Sequence, residues 1–233
     1  MNGERVAVIL GARNLGGAFV DYLAGSGWRC AAIARSDETA AAVNARGALG
    51  LVADASDPTS LGEALARVRE ELGPPGLIVN SVTAARPPAD DSGFGGGPIG
   101  DATVEGFRGW AAAVAEQAFV FLSTGIRTLR EGGAGGTLIQ VTGGSARRAM
   151  PGRGIWSAGA QASRALTHAA AQEVRAEGIH VALLIVDATI ESPKTEAFTR
   201  DTPREALADM KLIPTPSSSS PDSNRAPIRT SWS

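Results

Sequence analysis

VAVILGARNLGGAFV, Val6 to Val20, is the stretch on which the reading of the whole chain turns. The unbroken apolar run Val6 to Leu10 has the length and composition of a buried strand, and it ends at Gly11. Gly16 and Gly17 then open a segment, Ala18 to Leu23, that suits a helix. A strand, a tight glycine turn and a helix aim backbone N–H groups and the positive end of a helix dipole at whatever occupies the turn. Such a turn suits a pyrophosphate, which makes Gly11, Arg13, Asn14, Leu15, Gly16 and Gly17 candidate contacts of a dinucleotide. The spacing is not G-x-G-x-x-G, and a glycine-rich strand-to-helix turn can be only a turn; the remainder of the chain has to decide.

The 233 residues suit one large domain, and their 43% hydrophobic content can fill a substantial core. A formal charge of −2 without a long basic run gives no electrostatic footprint for nucleic acid or an anionic membrane, so neither is expected as a partner. Cys30, the only cysteine, lies in an apolar run and is expected in the core; it excludes an internal disulfide and a thiolate metal cluster. No apolar segment has the roughly 18 residues of a membrane span, and MNGERVAVIL runs into a strand without the features of a signal peptide. A cytoplasmic protein is the expectation. His168 and His180 have no metal-ligand spacing, and no metal site is expected.

Further strands recur after the first. Trp28 to Ile33, Ala48 to Ala53, Leu77 to Val79, Thr137 to Val141 and Ile179 to Val186 are short apolar runs. Helical stretches separate them, at Asp37 to Arg46, Pro58 to Leu72, Thr103 to Arg130 and Ile155 to Ala176. This alternation predicts an α/β fold of parallel βαβ units with right-handed crossovers, whose ligand crevice lies beyond the strand C-termini. Gly11, Arg35, Asp54 and Asn80 all fall at such ends. After the second strand a carboxylate would accept from a ribose 2′-OH, whereas Ala34 and Arg35 supply a guanidinium suited to a 2′-phosphate. NADP(H) is therefore the expected cofactor. Residues 84–101 are rich in Gly, Pro and Asp and could form a lid. Residues 201–233 read as an irregular or flexible Ser/Pro-rich tail, leaving 1–200 as the dinucleotide-binding domain.

Taken as a set, Gly11 with Gly17, Asp54, LIVN ending at Asn80, the strand into VTGGSA, the helix from Trp156 and VALLIVDATIESP resemble a short-chain dehydrogenase/reductase from Val6 to about Pro193. The resemblance implies a single-domain Rossmann fold, a doubly wound sheet of seven parallel strands with helices on both faces. It also implies homodimers or homotetramers built on the two long helices. In the family the glycine motif is Gly-x-x-x-Gly-x-Gly; Gly11 and Gly17 match its ends and Leu15 stands at its middle glycine. Asp54 matches the adenine-contacting aspartate, and Arg35 the arginine of NADP-preferring members. Asn80-Ser81-Val82 corresponds to the Asn-Asn-Ala that supports the adenosine side, and Ile190 and Ser192 fit positions contacting the nicotinamide carboxamide.

The same resemblance implies an Asn, Ser, Tyr and Lys catalytic set, and each position has changed. IWSAGAQASRAL places Trp156 at the tyrosine and Ala160 at the lysine; Glu116 falls at the asparagine, and Gly143 at the serine with Ser145 two residues on. Trp156 has an N–H donor but no titratable proton, so the usual relay cannot operate. Candidate replacements are Glu116, expected to be buried with a raised pKa, Ser145 as a donor to a substrate oxygen, Asp187 beside the crevice, and Trp156 itself. Each also has a plain structural explanation, as a paired helix residue, a turn residue, a capping carboxylate or a wall. Arg147, Arg148 and Arg153 border the same mouth.

The expected function is hydride transfer between NADP(H) and a small carbonyl, imine or conjugated enone without the Tyr-Lys relay. Two alternatives stay open: a non-catalytic NADP-binding or partner-binding scaffold, and a non-redox cyclase or lyase using an apolar chamber walled by Trp156.

Overall fold

The computed structural model describes residues 4–82, 94–187, 190, 203 and 230–231. Its strands are β1 (Val6–Leu10), β2 (Arg29–Ala34), β3 (Leu49–Val52), β4 (Leu77–Asn80), β5 (Gly136–Gly143), β6 (Ile179–Val186) and β7 (Thr230–Ser231). They form a single sheet ordered β3-β2-β1-β4-β5-β6-β7. The first six strands are parallel; β7 is antiparallel, pairing Ser231 with Leu183 and Thr230 with Leu184. The expected seven parallel strands are therefore six with a short antiparallel edge. Two residues returning to the outer side of β6 need no crossover helix, which a parallel strand would require.

Helices α1 (Asn14–Gly25), α2 (Asp37–Asn44), α3 (Pro58–Leu72), α4 (Val104–Phe107), α5 (Ala113–Gly132) and α6 (Gly154–Glu173) cover both faces. Alternation along β1 divides the core. Val6, Val8 and Leu10 pack with Leu61, Leu65 and Val68 of α3 and Phe121, Ile126 and Leu129 of α5. Ala7 and Ile9 join Leu15, Phe19, Val20 and Leu23 of α1 and Val43 of α2 on the other face. Every residue of β1 is buried, as the centre of a doubly wound sheet demands.

Ser36 and Asp57 cap α2 and α3 through the N–H groups of Thr39 and Ser60, and Pro58 opens α3 at a position where its missing donor is harmless. The stretch read as one helix from Thr103 to Arg130 is interrupted: a π-turn, Arg108–Ala112, lies between α4 and α5. Phe107 and Phe119 on this stretch are 48% and 56% exposed. Cys30 is buried at 4% exposure, and burial pushes its thiol up to about 11.

No described helix is long and apolar enough to cross a membrane. The loop over 84–101, read as a possible lid, falls partly, and the tail over 201–233 almost wholly, outside the described residues; so does Ser192.

Candidate active and cofactor site

Strand order reverses between β1 and β4, and that switch point opens a crevice beyond their C-termini. Its floor is a set of short contacts. Gly11 turns the chain at φ +79°, and its N–H donates to Ile33 O at 2.8 Å. Ser81 Oγ donates to both Leu10 O (2.8 Å) and Gly11 O (2.9 Å), tying the end of β4 to the turn after β1. Gly16 packs directly on the Gly11 carbonyl, where a side chain would collide with backbone. Gly16 and Gly17 thus lie within the first turn of α1, not ahead of it as the sequence suggested.

That helix begins without a side-chain cap, unlike α2 and α3, and without the acids that α2 carries in its first turn. Its leading N–H groups and positive dipole end are left for something else. Arg13, its N-cap residue, and Asn14, at φ +42°, are exposed beside it. Arg35 is exposed at the end of β2, and neither Arg13 nor Arg35 makes an ion pair among the described residues. An uncapped helix start flanked by two guanidiniums fits an anionic group bearing several phosphates. Leu15, by contrast, is 6% exposed and belongs to the apolar cluster beneath α1 that Val186 and Ile190 also join.

Asp54 ends β3 in a turn that its own side chain closes: Oδ1 accepts from Ser56 N at 2.9 Å and Ser56 Oγ at 2.6 Å. Asn80 is fully buried; its Nδ2 donates to Gln117 Oε1 and Gln140 Oε1, and its Oδ1 accepts from Val82 N. It locks β4 to α5 and β5, and Val82 stays half-buried beside Gly11.

Glu116 requires a correction. It is exposed, so the burial on which an acidic role rested is missing. The inward residue is its neighbour Gln117, 2% exposed, four places before buried Phe121 and so on the same helix face; Glu116, five places before it, is turned about 140° away.

The opposite wall comes from β5, β6 and α6. Ser157 Oγ, buried at 1% exposure, donates to Ser145 O at 2.7 Å and fastens the start of α6 beneath the short turn Gly144–Ala146. Ser145 is half-buried, and its hydroxyl makes no hydrogen bond to a described residue. Asp187, exposed after β6, rests its carboxylate on Gly144. Ala160 is 1% exposed and packs with Ala146, Leu183 and Ile185, so this position is an apolar contact. Trp156 meets two rings that the sequence did not bring together: Trp110, 5.9 Å away at 86°, and Phe94, 5.4 Å away. The three residues are far apart in sequence, and nothing local in it signals their meeting.

Arg153 stands 5.5 Å from the Phe94 ring, whereas Arg147 and Arg148 are exposed. The two histidines lie elsewhere, lining a cavity of about 260 Å³ with Gln172 and Arg175 beside the start of β6, at the far end of the sheet from the crevice.

A family model described as "short chain dehydrogenase" matches residues 5–201. Among solved structures, the chain resembles the sorbitol-6-phosphate 2-dehydrogenase of Erwinia amylovora, at 22% identity and a TM-score of 0.71 over 84% of this chain and 78% of that one. A variant of the actinorhodin polyketide ketoreductase, solved with NADPH, is 19% identical with a TM-score of 0.75, over 91% and 87% of the two chains. The acetoin dehydrogenase of Enterobacter cloacae is 20% identical with a TM-score of 0.72, over 92% and 86%. At such identities these likenesses speak for the fold. No curated protein matches the chain.

Proposed function

Because the chain belongs to the short chain dehydrogenase family, we propose that it is an NADP(H)-dependent oxidoreductase acting on a small carbonyl, imine or conjugated enone without the family's Tyr-Lys proton relay. The observation that carries the cofactor is the uncapped start of α1 between the exposed Arg13 and Arg35. The nicotinamide would supply or take up the hydride. The residues of this chain do the rest. The α1 N–H groups and Arg13 hold the pyrophosphate, Arg35 binds the 2′-phosphate, and Ser81 and Asn80 keep the floor of the crevice rigid. Ile190 and Ser192 are proposed against the carboxamide, and Asp54 against the adenine. The Ser145 hydroxyl is the group proposed to hold a substrate oxygen, with Asp187 beside it and Trp156 as the wall.

Trp156 and Ala160 provide no general acid, which favours substrates that need little protein acid, or proton delivery from water. The burial of Ala160 also supports a second reading, a protein that binds NADP without turning it over. Assembly as a homodimer or homotetramer is part of the proposal; exposed Phe119 on α5 supports it, and light scattering at defined concentration tests it.

The deciding experiment titrates the protein with NADPH and NADH by tryptophan-to-nicotinamide energy transfer, and repeats both with Arg35→Ala. NADPH binding weakened about tenfold by the substitution, with NADH unchanged, supports the cofactor assignment. Equal binding of the two nucleotides in both proteins would reject it. Consumption of NADPH with a reducible substrate then separates the oxidoreductase from the silent binder.

A further inference from the structure

Trp110 carries a polar atom that the protein leaves without a partner. The residue is 6% exposed, and its Nε1 is the one buried side-chain nitrogen or oxygen among the described residues that lacks a hydrogen-bond partner. A dry, unpaired N–H is destabilising, so its retention needs a cause.

The surroundings of this indole point to a ligand. Trp110 sits at the centre of the π-turn Arg108–Ala112, a helix irregularity that occurs frequently at functional positions. The turn is backed against α6 at Gly159, where a Cβ would press on the backbone of Ala111 at 2.9 Å. Trp110, Trp156 and Phe94 form a triangle of rings, with Phe94 5.2 Å from Trp110 and 5.4 Å from Trp156. Phe94 is the exposed member at 48%, and three glycines follow it at φ +96°, +90° and +73°, conformations that other residues rarely adopt. Gly96 lies against Trp110 Cδ1, the carbon bonded to Nε1, where an added Cβ would stand 3.3 Å away. Removing the Phe94 ring from the triangle would leave a ring-sized gap bordered by two indoles, and Gly96, two residues on, lies against the carbon next to the unpartnered Nε1.

We propose that the Trp110–Trp156 pair binds a planar aromatic ketone or aldehyde, whose ring takes the place of Phe94 and whose carbonyl oxygen accepts the Trp110 Nε1–H. The inference deepens the oxidoreductase reading and rests on it for the fate of the carbonyl, but binding is separate. Aromatic rings gain edge-to-face contacts with both indoles, and the oxygen gains a donor whose desolvation is already complete. A saturated ketone meets only the donor, and an aromatic hydrocarbon only the rings.

The test is a titration of the isotope-labelled full chain, without nucleotide, with α-tetralone and with tetralin, the same bicyclic skeleton lacking the oxygen. The indole N–H resonances are followed, with Trp110 assigned by Trp110→Phe. Tetralone is expected to shift the Trp110 resonance downfield and to bind about fivefold to tenfold more tightly than tetralin. Trp110→Phe should abolish that preference, and Phe94→Ala should tighten both ligands. An unmoved Trp110 resonance overturns the proposal, as does a preference that survives Trp110→Phe, or weaker binding of both ligands to Phe94→Ala. The wild-type titration decides by itself if either variant fails to fold. NADPH oxidation with tetralone is measured separately: binding without consumption keeps the pocket and rejects the oxidoreductase reading, and consumption without the Trp110 shift does the reverse.

Discussion

The side-chain amides of Asn80 and Gln117 exchange both of their hydrogen bonds: Asn80 Nδ2 donates to Gln117 Oε1 at 2.9 Å, and Gln117 Nε2 donates to Asn80 Oδ1 at 3.2 Å. Gln140 Oε1 accepts the other Asn80 amide proton at 2.8 Å. The network joins the last residue of β4 to α5 and β5 directly beneath the crevice, and it is dry, so each of its bonds is costly to leave unmade.

Gln117→Leu removes one side of this exchange and leaves one buried Asn80 amide proton unpaired, while the bonds to Gln140 and Val82 remain. It should lower unfolding free energy by about 1–3 kcal/mol, read as a reduced urea midpoint at unchanged m-value. Glu116→Gln, one residue away but exposed, should stay within about 0.5 kcal/mol of wild type. NADPH turnover should be unchanged as well, and a clear loss would restore Glu116 to the mechanism.

Gly16→Ala places a methyl group on the Gly11 carbonyl and forces the backbone of the turn to move. A stability loss of about 1–3 kcal/mol, with loss of nucleotide binding, is expected. Gly17→Ala meets Ala12 O at 3.0 Å and the Arg46 guanidinium at 3.2 Å, and should be milder in both assays. Equal effects would show that crowding at Gly11 does not govern the turn.

Cys30 titrates near 11 in the fold because burial disfavours the thiolate, against an ordinary value of 9.0. From about pH 9 upward the unfolded chain gives up this proton while the folded one keeps it, so stability should fall between those values and be insensitive to the group below them. Cys30→Ala should flatten that part of the stability–pH curve. Native protein should resist thiol-specific labelling at neutral pH until denaturant is added.

At the other end of the scale, the Arg130 guanidinium holds the Glu177 carboxyl below its usual range through hydrogen bonds of 2.6 Å to each carboxylate oxygen. The stabilisation is present above the ordinary carboxylate pKa and is lost as pH falls through the lowered one. Both partners are solvent-exposed, so Glu177→Gln should move the acid midpoint only slightly, and less in high salt.

The sheet was legible in the sequence because buried parallel strands leave unbroken apolar runs: β1, β6 and α3 begin and end where the pattern places them. Gly11, Arg35, Asp54 and Asn80 could be placed at strand ends for the same reason. What escaped was whatever depends on helix rotation or on meetings across long separations. The π-turn breaks a stretch that reads as one helix, and on α5 the inward Gln117 was passed over for its exposed neighbour Glu116. The Phe94, Trp110 and Trp156 cluster is tertiary, and aromatic residues spaced along helices carry no mark of which rings they will meet. β7 has two residues, too few for any periodicity.

The central position of β1 carries a consequence for synthesis. VAVIL is five consecutive buried apolar residues, and one of its two hydrogen-bonding edges is claimed only by β4, at Leu77–Asn80. Until the ribosome has delivered that segment, a nascent chain with β1, β2 and β3 in place exposes an unpaired, uncharged strand edge open to pairing with another copy. Glu4 and Arg5 stand immediately before it as gatekeepers against such pairing, and fragments ending before Leu77 should aggregate where longer ones do not.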